Sequence, residues 1–441
     1  MNQFGMPRWS FDRPLAGGRA PARPNYENLP IRLFRALRRW GHFGRTTWQG
    51  VSDLWHPTTS QDSGATPARY RDLAASLDLA DRPMPLTRLE RSVPGEAIQI
   101  GRMARLAANT VVENYCELRA SDVSACAMRD QHAKAHGCVH AKFIVRDDLP
   151  PEFRTSLFQP GACYDAFARF SNGQGKPQAD RKLDGRGFSL KLCGVKGTTF
   201  LSELAPERMH PGEHDFLFSS FPVFFCKNAI DYSEFMDAVS AKHGTWREKL
   251  AWVLRWAWFI CRHPYQFITF LAVGLVRITN PLTATYHSMS PYLFGEDNVV
   301  RYRVSPEKPE HAAPWWTYLW WPKSQNFLRD ALVHDLLPEV ADRDVVLDFS
   351  VRVRHAATPC DVENAARWWI RPLDRTVPLA KIRIARQEFE APNQLYDREH
   401  MMFSPWNCLP EHRPLGSINR MRLAVYLASL QVRRKLNMVG A

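Results

Sequence analysis

The sequence predicts an α+β fold, an antiparallel β-barrel or sandwich with helices added, on three observations. Short stretches alternate apolar and polar residues. The clearest is LDFSVRVR, where Leu347, Phe349, Val351 and Val353 face one way and Asp348, Ser350, Arg352 and Arg354 the other. These stretches lie far apart in the chain, so their pairing is non-local, and long segments of helical periodicity separate them. The 441 residues are 45% hydrophobic and 23% charged, an ordinary globular composition that can bury a core large enough to enclose an apolar cofactor.

Taken in order, residues 1–70 read as an N-terminal extension and 71–441 as the main domain. Residues 1–25 are rich in Pro, Arg and Gly, and no apolar run beside a cleavage site marks a signal peptide. Residues 26–55 set Ile31, Leu33, Phe34, Leu37, Trp40 and Phe43 among Arg32, Arg35, Arg38 and Arg39, the pattern of a basic amphipathic helix. It reads first as a helix packed on the main domain and second as an interfacial anchor. The polar stretch 56–69 reads as a linker, and 97–118 carries helical periodicity through Ile98, Ile100, Met103, Leu106, Val111 and Val112. Strands are expected at 139–145, 187–192, 216–225, 300–304, 347–354 and 380–389. The apolar run 251–276 is interrupted by Arg255, Arg262, His263 and Pro264, which makes it a helix pair broken at the proline. Neither half spans a bilayer, which takes about 20 apolar residues. After Pro414 the pattern is helical to the end.

The formal net charge is +13, which favours anionic partners, but no zinc-finger, basic-zipper or RNA-recognition pattern points to nucleic acid. Nine scattered cysteines without C-x-x-C pairs argue against a disulfide framework or a zinc site and fit reduced thiols in the cytoplasm. His210, Glu213 and His214 in MHPGEHDF have metal-ligand chemistry, but exposed loop histidines are the commoner meaning of such a run.

The C-terminal segment INRMRLAVYLASLQVRRK places Arg422, Tyr426, Ser429 and Arg433 on one helical face. Alone, that reads as a solvated basic face with a snorkelling tyrosine. A guanidinium beside a phenol also favours phenolate, a hard ligand for ferric iron. Four further blocks precede it: RDQHAK with Arg129, His132 and Lys134; ARFSNG with Arg169 and Ser171; DGRGFSLK at 184–191; and FPVFF at 221–225.

In this order the five blocks resemble the catalase superfamily, which carries R-x-x-H-A-K, R-F-S, R-G-F-x-x-K, P-x-F-F and R-x-x-x-Y with a later arginine. The resemblance runs from Arg129 to Arg433. It implies a catalase-like antiparallel barrel core with surrounding helices, and haem b buried between the barrel and the helix at 414–437. Tyr426 would be the ligand to ferric iron and Arg422 its charge partner. His132 would be the distal acid/base and Ser171 its orienting hydroxyl. A second H-A-K, His140 to Lys142, competes with His132 but lacks the preceding arginine. Arg129, Arg169 and Arg433 would receive the haem propionates. Phe224 and Phe225 would line the distal side, Tyr232 would take the place of the aromatic stacked on the haem, and Gly187 would let backbone approach the porphyrin.

The departures bear on activity. Ser219 or Ser220 stands where catalases have an asparagine, Gln131 stands where they have an apolar residue beside the distal histidine, and Ser429-Leu430 replaces a Thr-His pair. Little chain follows Tyr426, so the wrapping segment, tight tetramer and bound NADPH of some catalases are not expected. The expected activity is O–O cleavage by a haem peroxidase, on hydrogen peroxide or an organic or fatty-acid hydroperoxide. True catalase and a membrane-associated haem module without turnover are the alternatives. Beyond the peroxide, the candidate partners are a lipid surface touched peripherally through 26–55 and 251–276, and a second copy of the chain.

Overall fold

The structure, a computed structural model, describes residues 85–122, 125–204, 212–239, 245–296, 298–307, 324–354, 356–370, 374–390 and 401–439. The expectations for 1–25, 26–55 and 56–69 and for His210 fall outside them. All the described residues belong to one unit of the chain.

The described residues contain nine antiparallel strands: β1 (Ala135–Val145), β2 (Cys163–Asn172), β3 (Arg186–Cys193), β4 (Glu213–Ser219), β5 (Tyr286–His287), β6 (Tyr292–Phe294), β7 (Asn298–Pro306), β8 (Val345–Arg354) and β9 (Arg375–Ile384). Their order is β5-β4-β3-β2-β1-β9-β8-β7-β6, and a β5–β7 pairing closes eight of them into a barrel with β6 outside the ring. Alternation fills the barrel with Phe143, Phe170, Phe188, Phe216, Tyr302 and Phe349. The intervening positions of β1–β4, among them Cys138, Arg169, Ser171, Gly187, Leu217 and Ser219, therefore form its outer wall.

Two strands differ from their expected bounds. The aromatic run at 216–225 leaves the sheet after Ser219, because Pro222 has no N–H to give the ladder. The last strand starts at Arg375, passes Pro378 through a bulge opposite Ser350, and ends at Ile384. Phe389 lies outside it and packs where a side chain on Gly137 would otherwise stand.

The helices are α1 (Glu96–Ser121), α2 (Phe200–Leu204), α3 (Ala229–Val239), α4 (Trp246–Arg262), α5 (Pro264–Leu275), α6 (Phe327–Leu336), α7 (Pro359–Glu363) and α8 (Ser417–Val439). The apolar run is indeed a pair broken at His263-Pro264. Its first helix starts at a capping box between Thr245 and Glu248. No helix among the described residues is long and apolar enough to cross a membrane. Along α1 and α8, Ala104, Ala108 and Val111 meet Ala428, Val432 and Leu436; the small residues let the two axes approach closely. All nine cysteines are free.

Candidate functional site

The site lies where α8 faces the outer wall of β1–β4. His132 precedes β1 in a left-handed conformation, φ 57°, which costs a side-chain-bearing residue and needs its surroundings to hold it. Several contacts do. Its N–H donates to the Gly173 carbonyl at 3.1 Å, and its own carbonyl accepts from the Arg169 guanidinium at 2.9 Å. Its ring Nδ1 meets Ser171 Oγ at 3.1 Å, which leaves Nε2 for a substrate. A Cβ on Gly187 would stand 2.4 Å from that Nδ1 and 2.8 Å from Ser171 Oγ, so only glycine leaves room for the ring. Gly187 is thus pressed against the imidazole, which gives its missing side chain a reason within the chain itself.

Three of the sequence blocks prove to be one clamp. Ala133 N–H donates to Gln174 O at 3.1 Å and Asn172 N–H to Lys134 O at 3.0 Å, tying the His132 segment to the turn after β2. The Asp184 carboxylate accepts from the N–H groups of Gly173, 2.9 Å, and Gln174, 3.2 Å. Lys134 Nζ reaches Asp180 at 2.6 Å, and the buried Arg186 donates to Asn172 and to the Asp180 carbonyl. Lys134, Asp184 and Arg186 therefore build the mount of His132 and stay out of its reach.

Burial is the main cause that lowers His132 to a pKa of about 4, and the charges of Arg169, Arg422 and Arg129 push the same way. The ring is neutral at physiological pH, the state in which it can accept a proton. The rival His140 is exposed on β1, its ring against Phe167. Lys142 of the same motif pairs with Asp165 in solvent, so this second H-A-K has no enclosure.

Opposite, the start of α8 is held hard. Arg420 bonds three carboxylates, Glu96, Glu90 and Glu363, each at 2.9 Å. Gly416, at φ 86°, leaves no room for a Cβ, which would stand 2.3 Å from the Val362 carbonyl. Asn419 holds Pro291 O at 3.0 Å and accepts from Arg422 at 3.3 Å. Arg422 then donates to the Tyr426 hydroxyl at 3.4 Å and covers its ring. Burial alone would lower Arg422, but the neighbouring Tyr426 and Tyr292 phenols outweigh it and hold the guanidinium above its usual value. Tyr426 is half-buried and packs on Phe403, Met401, Leu217 and Phe167, the last two being part of the β4 and β2 wall.

The other expected residues lie near these groups. Arg129 donates to Met401 O, next to the Tyr426 packing. Phe224 and Phe225 stack at 4.7 Å, and Tyr232 lies 5.7 Å from Phe224. Burial, with the charges of Cys226, Asp130 and Tyr426 in support, holds the Tyr232 phenol well above its usual value, hence protonated. Ser219 is buried and pairs in register with Gly187, whereas Ser220 Oγ accepts the Arg186 N–H at 3.0 Å. Of the two serines that stand for the asparagine, Ser219 is the one with its hydroxyl uncommitted to Arg186.

Two expectations about side-chain environment change. Gln131 is exposed, and the polar group drawn inward is its neighbour Asp130, which the sequence reading passed over. Burial raises Asp130 to about 6 against the pull of a Ser429 hydrogen bond and the Arg433 charge. Its only signal in the sequence was an acid directly after Arg129. The run MHPGEHDF, read as exposed loop histidines rather than a metal site, also differs: His214 is buried in β4 and packs on Phe216 and His412, while Glu213 bonds Lys191 at 2.6 Å. No metal-holding cluster occurs among the described residues.

The closed antiparallel eight-strand barrel with helices around it is a catalase-like architecture. The comparisons agree. The catalase family model matches residues 117–271, which include His132, Arg169, Ser171, Gly187 and Ser219. Over 151 residues the chain is 30% identical to the catalase of Listeria seeligeri, a match covering 33% of this chain and 27% of that one. A fungal catalase structure superposes with a TM-score of 0.53 at 13% identity, covering 74% of this chain and 62% of its own. Catalase A from Saccharomyces cerevisiae gives 0.52 at 14%, covering 80% and 68%. The chain therefore has the catalase fold and a catalase-family region at 117–271; the matched stretch is about a quarter of the Listeria enzyme's length.

Do the residues suit a haem? The donor set does. A phenol sits under a guanidinium, and a neutral imidazole lies within the field of three arginines, one of them the phenol's own partner Arg422. Among the described residues, Asp130 is an acid that faces Arg433, one of the arginines expected to receive a propionate.

Proposed function

We propose that the chain is a haem-dependent hydroperoxidase of the catalase superfamily that cleaves the O–O bond of hydrogen peroxide or of an organic or fatty-acid hydroperoxide. The observation that carries this reading is that two preorganised groups share Arg422 as a neighbour: His132, locked by Ser171 and Gly187, and Tyr426, covered by Arg422. Tyr426 would hold ferric haem b, with Arg129 and Arg169 toward its propionates, and the bound group would supply the iron that accepts peroxide oxygen.

The chain's own part is proton movement and charge placement. Neutral His132 accepts the hydroperoxide proton at Nε2 and returns it to the departing oxygen, with Ser171 fixing the ring through Nδ1. Arg422 donates to the Tyr426 oxygen and places a positive charge beside it. Ser219, shorter than an amide, replaces the donor that efficient dismutation relies on in catalases, which favours peroxidase chemistry over oxygen evolution.

The test is product analysis of hemin-loaded protein on hydrogen peroxide, tert-butyl hydroperoxide and a fatty-acid hydroperoxide. Organic hydroperoxide should be consumed, and His132→Ala should slow this by about 100-fold or more. Oxygen evolution as the dominant reaction would install the true catalase reading instead. Failure to turn over any of the three would remove the enzyme reading altogether.

A further inference from the structure

Helix α4 (Trp246–Arg262) has two apolar faces, and the fold uses one. Trp252, Trp256 and Phe259 pack into a cluster with Phe225, Phe235, Phe267 and Phe270. On the opposite side Trp246, Leu250, Val253, Leu254 and Trp258 recur every three or four residues and stay exposed, at 70%, 51%, 51%, 59% and 64%. Tyr265, at the start of α5, extends the strip at 43%. Apolar side chains grouped in this way on a surface mark an interaction site.

Charge selects the partner. Arg247, Lys249, Arg255 and Arg262 are exposed along the same helix. Arg247 and Arg262 lie over the rings of Trp246 and Trp258, at 5.4 and 5.9 Å, so each end of the strip is a tryptophan capped by a cation. The helix's one acid, Glu248, is engaged in the capping box at its first turn. Leu254, Arg255 and Trp258 also border a cleft of about 690 Å³ toward α1 and α3, where Arg102 pairs with Asp237 and Glu234 with Arg262, leaving Arg247, Lys249 and Arg255 as the cations for a partner. A second copy docking through this face would bring two such cationic rims together. A lipid surface does not: the apolar strip enters the acyl boundary, the tryptophans sit at headgroup level, and the cations meet anionic headgroups. The formal charge of +13 adds long-range attraction.

We propose that α4 lies flat in the interface of an anionic lipid bilayer and holds the protein there as a peripheral protein. The inference does not depend on the chemistry at His132.

Flotation of the full chain with vesicles tests it, using phosphatidylcholine alone and phosphatidylcholine mixed with phosphatidylglycerol. The wild type should float with the anionic vesicles, less so in high salt, and stay behind with the neutral ones. Trp246→Ser/Leu254→Ser/Trp258→Ser should weaken retention by about tenfold or more, and Arg247→Glu/Arg255→Glu should do so independently. Both change exposed side chains only, so circular dichroism and melting should match the wild type. Flotation of the triple variant equal to the wild type would place binding elsewhere, in the basic segment 26–55 for example, and overturn the proposal. So would no flotation at all, or a concentration-dependent dimer that only the triple variant abolishes.

Discussion

Gly187 and His132 show how much one position carries. A methyl on Gly187 would overlap both the imidazole and the Ser171 hydroxyl. Gly187→Ala should therefore bind hemin normally yet lose about 100-fold or more of its peroxide turnover. Normal turnover with an unchanged spectrum would show that the ring does not need this place. The His132 ring, lowered to about 4, should stay a competent base as pH falls from 8 to 5; the acid limb of the pH–rate profile belongs near 4. A limb near 6.5 would mean an unburied histidine. Asp130 titrates in the opposite sense. Its folded value of about 6 lies above the ordinary 3.8, so the protonated form favours folding at low pH and that contribution is lost as pH rises from about 4 to 6. Asp130→Asn, which cannot ionise, should gain about 2 kcal/mol at pH 7.5 and nothing below pH 4, measured by denaturant unfolding. The pairing of His132 with Ser171 and of Arg422 with Tyr426 was legible because the catalase resemblance names those residues as neighbours. Asp130 was not, because an acid next to an arginine reads the same whether it faces solvent or is drawn under Ser429.

Among the elements, α8 shows what spacing alone can and cannot give. Arg422, Tyr426, Ser429 and Arg433 share a face by helical period, and the structure keeps them there. What the period cannot say is what that face meets, and a solvated basic face was the plainer reading until the order of blocks was considered. The depth of α8 is set by Arg420, whose three carboxylates come from before α1, from α1 itself and from α7. Arg420→Met should cost about 3 kcal/mol or more, since it leaves buried carboxylates without their cation; thermal melting against the wild type checks this. Strand bounds were missed for local reasons of the same kind. Pro222 ends β4 early, and Pro378 sits in β9 because a bulge accommodates it. The helix pair at 251–276 was read correctly as broken at Pro264, yet its second apolar face became visible only once the fold had covered the first.

At the scale of the whole molecule, the barrel and its surroundings hold many titratable groups away from water. His132 and His136 are lowered to about 4 and His287 to about 3, with burial the main cause, and His214 and His412 are lowered as well. Each folded value lies below the ordinary 6.5, so what these rings contribute is complete above pH 6.5 and is lost as pH falls toward the folded values. Asp130, Asp184 and Asp215, raised to about 6, act in the opposite direction between about 6 and 4. Five histidines outweigh three carboxyls, so acidification from pH 7.5 to 5 should lower Tm by on the order of 5 °C or more in a scan of full-length protein. A Tm that rises over that range would mean the rings are not buried neutral. Strands and helices were legible from alternation and period, which left barrel and sandwich open; the barrel was implied by the resemblance, and closure of the ring through the two-residue strand β5 had no sequence signal. The account as a whole turns on Tyr426, and the absorption and electron paramagnetic resonance spectra of hemin-loaded wild type and Tyr426→Phe test it most directly. It predicts a high-spin ferric, tyrosinate-ligated spectrum in the wild type and loss of that signature in the variant. Identical spectra from the two proteins, or a wild type that takes up no hemin, would contradict it.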